Sequence, residues 1–235
     1  MDKLHIYIIS FILLLIFSVV TVMNSSYFEI EEIKIEGNRL LSKQEIINIC
    51  RINKKQNIFD INRARLVKRL MRLSQVKGVK IHRDLPRKLL ITINERRPVA
   101  IVEGNPSYQI IDVQGWILET TKNLEKWNIP LIKGIKVKNK GKTVKLTGAF
   151  KGSVEYLGLL PEMVLEQISQ VNIYSPQEIE LFLSNNGKVK LGRMYNIDKK
   201  AKILTSIYQD IQKRNLKIKY IDLRYQRAPV VKLRE

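Results

Sequence analysis

The first 25 residues contain one uninterrupted apolar stretch, which sets them apart from the rest of the chain. Residues 4–23, LHIYIISFILLLIFSVVTVM, include no Asp, Glu, Lys or Arg. A helix of this length extends about 30 Å, which matches the hydrocarbon core of a bilayer. The stretch is longer than the apolar part of a typical signal peptide, and no small-residue cleavage sequence precedes Asn24. We therefore expect an uncleaved transmembrane helix rather than a cleaved signal peptide.

The stretch that follows combines a strand pattern with a helix pattern. Residues 28–35, FEIEEIKI, alternate between apolar and polar positions and precede a Gly-Asn pair, which is typical of a strand that ends in a turn. Ser42 and Glu45 have the spacing of a capping box, in which each side chain bonds the backbone N–H of the other residue. We expect a strand and then a helix, with Cys50 on the buried face of that helix and chemically inert.

Residues 61–73 have the pattern of a second helix, with Asp60 as its expected N-cap. One face of this helix is apolar and the other is basic. The expected apolar residues are Ile61, Ala64, Val67, Leu70 and Met71, and the basic residues are Arg63, Arg65, Lys68, Arg69 and Arg72. Two strands are expected at residues 76–82 and 87–94. Residues 28–98 therefore predict the element order β-α-α-β-β.

The remaining residues, 99–235, contain short apolar runs separated by turn sequences. Hairpins are expected around Asp112-Val113-Gln114-Gly115 and around Asn185-Asn186-Gly187, because these residues favour tight turns. Helical spacing occurs in residues 154–169 and 198–213, and strand patterns occupy the last part of the chain, residues 219–233. These patterns predict a larger mixed β-domain with an antiparallel sheet and flanking helices.

The composition restricts the chemistry that this chain can perform. Its 235 residues include one cysteine and two histidines, which exclude an intramolecular disulfide and a multi-cysteine zinc site and argue against a histidine-dependent triad. Short matches to catalytic motifs, at Ser74-x-x-Lys77 and at Gly141-Lys142-Thr143, lack the further residues that such sites require. We therefore expect a protein that is not an enzyme and uses no cofactor or metal.

The chain is strongly basic, with 42 Lys and Arg against 22 Asp and Glu and a net charge of +20. A basic helix near a bilayer gains about 1 kcal/mol per basic residue at an anionic surface, so the basic face of the second helix is the predicted contact with membrane lipid. Two alternatives stay open. In the first, the basic face of the second helix contacts only solvent. In the second, the protein is a membrane-anchored basic protein that binds nucleic acid or anionic wall polymers. Nucleic acid is disfavoured because no recognised binding motif or aromatic stacking array accompanies the charge.

Pro229 indicates where the last strand lies in its sheet. Proline has no backbone N–H, so a strand that contains it is confined to a sheet edge or a bulge. The backbone from Tyr225 to about Lys232 is then available to a strand of a partner protein, in the mode called β-augmentation. The predicted partner-binding residues are Tyr225, Gln226, Arg227, Val230, Val231 and Leu233.

Three motifs accompany the β-α-α-β-β order that follows the apolar stretch. They are Phe28-x-Ile30 with Ile33-x-Ile35-x-Gly37-Asn38, then Arg83-Asp84-Leu85-Pro86, and Glu95-Arg96-Arg97-Pro98-Val99-Ala100 at the end of the last strand. Near the C-terminus the chain reads Tyr220-Ile221-Asp222-Leu223-Arg224-Tyr225. Together these sequences resemble the FtsQ/DivIB family of bacterial cell-division proteins, and the β-α-α-β-β region resembles their POTRA module.

The resemblance implies an α+β fold in four parts. These are a minimal cytoplasmic tail at residues 1–3, a transmembrane helix at 4–23, a POTRA domain at 28–98 and a β-domain at 99–235 that ends in the partner-binding strand. It also implies that the last strand binds the small single-span coiled-coil division proteins FtsL and FtsB or DivIC, alongside other divisome components. Tyr225 matches a tyrosine of the family at this strand, whereas Leu233 stands where some members have tryptophan.

The charges that flank the apolar stretch do not decide its orientation, because Lys3 precedes it and Lys34 and Arg39 follow it. Long C-terminal regions translocate largely regardless of charge. We therefore expect a single-pass protein of the bacterial cell membrane, with its N-terminus in the cytoplasm and its body outside. The resemblance places it at the division septum, as a scaffold that helps control septal peptidoglycan synthesis.

Overall fold

The apolar stretch forms helix α1, Lys3–Met23, in a computed structural model that describes residues 3–104, 106–214, 216–225 and 228–234. None of the α1 residues is buried against another part of the described chain. By length and composition α1 is able to cross a membrane, as predicted from residues 4–23. The chain divides into two units, Met1–Glu95 and Arg96–Glu235.

The first unit contains a three-stranded sheet and two helices in the predicted β-α-α-β-β order. The elements are β1 (Glu32–Glu36), α2 (Lys43–Cys50), α3 (Arg63–Leu70), β2 (Val76–Asp84) and β3 (Lys88–Glu95). Strand β3 is central, with β1 parallel to it and β2 antiparallel to it. The apolar faces of the sheet and of both helices form one core, which includes Ile35, Ile46, Leu66, Leu70, Leu89, Ile91 and Ile93.

The predicted strand at residues 28–35 begins four residues later than expected. Ser26–Phe28 forms a 3-10 turn instead, and β1 starts at Glu32. The reason is a competing partner: the backbone of Ile30 bonds Lys55 and Gln56 of the α2–α3 loop rather than β3. Alternation in the sequence could not reveal this contact, because the partner lies some 25 residues further along the chain.

The second helix begins two residues later than predicted, and Asp60 does not cap it. Asn62 is the N-cap, and its side-chain oxygen accepts a hydrogen bond from the backbone N–H of Arg65 at 3.0 Å. The buried face is also rotated from the prediction. Ile61 and Leu70 are buried as predicted, but Leu66 is buried too, whereas the predicted Ala64 is exposed and Met71 is 45% exposed. The predicted capping box of α2 is present, and burial raises the pKa of the Cys50 thiol to about 11, consistent with an inert core cysteine.

The second unit is built on a sheet that contains nine strands within the described residues. They are β4 (Pro98–Glu103), β5 (Tyr108–Asp112), β6 (Ile117–Thr121), β7 (Leu131–Lys133), β10 (Ile168–Ser175), β11 (Glu178–Leu183), β12 (Lys188–Lys190), β13 (Ile218–Asp222) and β14 (Val230–Leu233), while β8 (Asn139–Lys140) and β9 (Thr143–Val144) form a separate ribbon. The spatial order is β14-β13-β12-β11-β10-β7-β4-β5-β6. The sheet is mixed, because β7 is parallel to both of its neighbours and β12 is parallel to β13.

Helices α4 (Gly148–Leu159), α5 (Glu162–Leu165) and α6 (Ile197–Arg214) complete the second unit. Helix α4 packs against β4, β10 and α6, and the side chains between them form the second core. Both predicted hairpins are present, as β5–β6 and β11–β12. The helix expected at 154–169 is wrong in its second half. Pro161 interrupts it, and from Ile168 onwards the alternating burial of β10 replaces helical spacing.

Two consecutive residues explain the Glu-Arg-x-Pro-x-Ala motif. In the first unit the Glu95 carboxylate accepts hydrogen bonds from three successive backbone N–H groups, those of Arg39, Leu40 and Leu41, at 2.9, 2.6 and 3.0 Å. In the second unit Arg96 donates to Asp112 at 2.8 Å and lies over the ring of Trp116. Each residue therefore fixes a loop of its own unit.

Glu95→Gln should destabilise the first unit by about 2–3 kcal/mol, because an amide carries no charge and presents a donor where three N–H groups need an acceptor. The measurement is urea unfolding of the full chain in detergent. Glu103→Gln, which changes an exposed carboxylate at the end of β4, is the matched control and should have little effect. Equal losses in the two variants would contradict the role assigned to Glu95.

Candidate functional site at the C-terminal sheet edge

The last two strands form a hairpin that ends the large sheet. Strand β13 pairs in parallel with β12 and in antiparallel with β14. Since β14 is the first strand in the spatial order, it has a sheet neighbour on one side only within the described residues. The backbone groups on its other side are placed to accept a strand from another molecule.

All four residues of β14 are exposed, and three of them are apolar. Val230, Val231 and Leu233 are 50%, 39% and 39% exposed. Val231 is paired directly with Ile221 and Leu233 with Ile218, both of which are buried in the core. Directly opposite residues of antiparallel strands share a face. The core-facing surface of the sheet therefore continues onto Val231 and Leu233, where nothing in the described chain covers it fully.

The predicted partner-binding residues occupy different parts of this hairpin. Tyr225 is 70% exposed and lies in the bend after β13 rather than in a strand. Gln226 and Arg227 lie outside the described residues. β14 is an edge strand as predicted, but Pro229 directly precedes it rather than lying in it, and the strand is shorter than the 225–232 segment expected from the sequence.

An ion pair turns the chain at the end of β13. Arg224 donates to both carboxylate oxygens of Asp222, at distances of 2.6 to 3.1 Å, and its backbone N–H bonds the same carboxylate at 3.0 Å. The hydrogen bonds from Arg224 are the main reason that the pKa of Asp222 lies below its usual value. The pair fixes the bend from which Tyr225 projects.

A fully buried lysine lies behind this bend. The ammonium group of Lys200, on α6, donates to the backbone oxygens of Leu191 at 2.5 Å and Arg193 at 2.8 Å, and it lies 4.7 Å from the ring centre of Tyr195. Burial lowers the pKa of Lys200, and the Asp222 charge partly opposes this shift. The lysine thereby holds the β12–α6 loop.

The same loop reaches the hairpin, because the Tyr195 hydroxyl donates to the backbone oxygen of Arg224 at 3.4 Å. Sequence reasoning missed Lys200, although a signal was present. It lies four residues before Leu204 and eight before Tyr208, on the apolar stripe of α6. A lysine at an apolar helix position is either poorly packed or buried with its ammonium group donating hydrogen bonds. Lys200 is of the second kind.

Four of the basic residues predicted to contact an anionic surface lie on α3, and Arg72 lies in the turn that follows it. Arg63, Arg65, Lys68 and Arg72 are exposed. Arg69 is half-buried and donates to the backbone oxygen of Cys50 at 2.6 Å, so it joins α3 to the end of α2. Arg69 therefore has a structural partner, and the surface role of the other four residues stays a prediction.

The described residues contain no group of three or more His, Cys, Asp or Glu side chains placed to hold a metal ion. The most prominent feature of the second unit is instead the apolar edge strand. The structure combines a candidate membrane-spanning helix, a β-α-α-β-β module and a mixed sheet with an open edge. This combination defines a class of single-pass membrane proteins that carry a POTRA module.

Comparison with known families agrees with this class. Residues 28–96 match the model of the FtsQ-type POTRA domain, and residues 100–224 match that of the C-terminal domain of cell division protein FtsQ/DivIB. The chain belongs to the FtsQ/DivIB family of cell-division proteins, as the sequence motifs indicated.

Individual relatives cover different shares of the chain. A cell division protein DivIB from Clostridium tetani is 27% identical over 94% of this chain and 86% of its own length. A cell division protein DivIB from Clostridium acetobutylicum is 33% identical, but over 48% of this chain and 45% of its own. The solved extracytoplasmic domain of DivIB from Geobacillus stearothermophilus is 23% identical, covers 52% of this chain and 98% of its own, and has a TM-score of 0.36.

Lys200→Met should destabilise the second unit by about 2–3 kcal/mol, because methionine replaces the apolar stem but leaves the two backbone oxygens without a donor. Thermal unfolding of the full chain, followed by circular dichroism, measures this loss. Lys199→Met removes the same charge from the exposed neighbouring position and should be almost neutral. If both variants unfolded at the wild-type temperature, Lys200 would not hold the loop.

Proposed function

We propose that this protein is a non-enzymatic bitopic scaffold of the bacterial divisome. Its β14 edge binds a strand of a small single-span coiled-coil division protein of the FtsL or FtsB/DivIC type. By holding such partners at the septum, the scaffold helps control septal peptidoglycan synthesis. The observation that carries this proposal is the apolar, exposed edge strand Val230–Leu233.

The chemistry of the edge favours a strand as the ligand. A partner strand placed beside β14 pairs with its outer backbone groups, and this pairing supplies affinity without requiring a particular sequence. Its side chains then extend the core-facing surface and cover Val231 and Leu233, whose paired residues Ile221 and Ile218 are already buried. Specificity comes from which side chains fit that surface and from contacts with Tyr225.

The proposed topology places the N-terminus of the chain in the cytoplasm and both units outside it. This topology is supported by the length of the region after α1, because long C-terminal regions translocate largely regardless of flanking charge. The body of a septal scaffold must lie on the side where peptidoglycan is made. Under this topology β14 is presented to the extracytoplasmic parts of other division proteins.

Replacing both core-facing edge residues, as Val231→Asp with Leu233→Asp, should reduce capture of the partner by at least about tenfold. Each aspartate would place a charge where a partner is expected to bury an apolar side chain. A loss of about 1.4 kcal/mol in binding free energy already weakens the complex tenfold. The measurement is in-cell photo-crosslinking from a probe at Lys232, followed by mass spectrometry. Val113→Asp changes another exposed valine of the same unit and is the matched control.

Capture of a small single-span coiled-coil protein that survives in the control and is lost in the double variant would support the proposal. Circular dichroism of each purified variant checks that the second unit is still folded. Undiminished capture by the double variant, or undiminished co-purification of the same partner with a chain that ends at Arg224, would refute the role of β14. Capture of DNA-associated or cytoplasmic proteins would show that the topology is inverted.

A further inference from the structure

The segment that follows α1 is attached to the first unit along its length. The side-chain amide of Asn57 donates to the backbone oxygen of Met23, the last residue of α1, at 2.7 Å. A few residues later, the Ile30 N–H donates to Gln56 at 2.9 Å and the Ile30 oxygen accepts from Lys55 at 3.2 Å. The α2–α3 loop therefore runs beside the end of the apolar helix.

A second set of contacts fixes the same segment. Arg87 donates to the backbone oxygen of Tyr27 at 3.0 Å and lies over the Tyr27 ring, and it is ion-paired with Glu31. The ring of Phe28 packs against Phe59, with 5.1 Å between the ring centres. The connection between α1 and the first unit is thus held by hydrogen bonds and ring contacts and is not a free linker.

These contacts determine the depth of the loop in a membrane. A helix of 21 residues spans the hydrocarbon core of about 30 Å, so Met23 lies close to the boundary of that core. The headgroup region adds about 5–8 Å beyond it. A side chain bonded to Met23 lies in that layer, and residues two or three positions away are within about 11 Å of it along the chain.

The loop residues at this depth are cationic, whereas Glu29, which bridges Asn57, and Glu31, which pairs with Arg87, lie on the neighbouring segment. Lys54 and Lys55 are exposed and lie two and three residues before Asn57, and the loop contains no acidic residue between Arg51 and Asn57. Tyr27, on the neighbouring segment, is 57% exposed. Lysine and tyrosine are both side chains favoured at a lipid headgroup layer.

We propose that Lys54 and Lys55 bind the headgroups of anionic phospholipids in the leaflet next to Met23, and that this contact fixes the orientation of the first unit on the bilayer. The phosphate oxygens accept from the two ammonium groups, and the negative surface holds them there. This lipid contact lies in the α2–α3 loop rather than on α3. It rests on the membrane helix of the proposed function and is independent of the β14 edge.

The position of the loop is tested with the full chain in lipid nanodiscs that contain some nickel-chelating lipid. A spin label at Lys54→Cys should be relaxed strongly by the nickel in the headgroup layer. The comparison label is Lys77→Cys, which is exposed and lies on β2 at the end opposite to the turn that contains Arg87. Native Cys50 is fully buried and does not compete for the label. Equal relaxation at the two positions would overturn the proposal.

The charge requirement is tested by hydrogen exchange of residues 51–57 in nanodiscs of phosphatidylcholine with or without phosphatidylglycerol. Phosphatidylglycerol should slow exchange by about tenfold, the effect expected from one to two basic residues at an anionic surface. Lys54→Gln with Lys55→Gln should abolish most of this slowing. The control variant, Lys77→Gln with Lys80→Gln, loses the same charge from β2, and phosphatidylglycerol should still slow its exchange.

Loss of the slowing in both double variants would show that only net charge matters and would overturn the proposal. A full chain that fails to insert into nanodiscs would refute the membrane helix and, with it, the lipid contact. Insertion without lipid-dependent protection would refute the lipid contact alone and leave the scaffold function unaffected.

Discussion

A β-sheet that does not close must end, and each terminal strand then leaves a row of backbone groups without partners. The nine-stranded sheet ends in β6 on one side and in β14 on the other. The β6 edge carries Glu119, Thr120 and Thr121, and Glu119 is ion-paired with Lys126 at 2.7 Å, which makes it a poor template for another strand. The β14 edge carries three exposed apolar residues. This asymmetry is the physical basis for the proposal that the C-terminal strand binds a partner.

The open edge needs rigid support, because a strand that frays cannot offer a fixed register to a partner. The support consists of hydrogen-bonded polar groups. Lys200 holds the β12–α6 loop, Tyr195 of that loop bonds Arg224, and Arg224 is clamped by Asp222. Buried and half-buried charges of this kind are costly unless they are paired, so they fix one arrangement of the bend. The apolar edge strand is therefore held in place by hydrogen-bonded polar groups behind it.

The first unit uses the same principle where α1 ends. Asn57, Arg87 and the Ile30 backbone secure the segment after α1, so the position of the helix constrains the module that follows it. At the far end of β3, Glu95 holds the 39–41 loop with three hydrogen bonds. Glu95, the first residue of the family motif, therefore has a structural role in its own unit.

The sequence alone determined the features that depend on neighbours a few residues apart. These are the apolar helix, the capping box at Ser42, both hairpin turns, the α6 stripe and the edge position of the last strand, because periodicity and turn chemistry act locally. Contacts distant in sequence decided the rest. Because Ile30 pairs with the α2–α3 loop, β1 starts later than predicted. Residues after 167 form strand β10 of the sheet rather than a helix, and Lys200 is buried by packing. Which apolar residues stay uncovered likewise followed only from the tertiary structure, since burial depends on what lies across the fold.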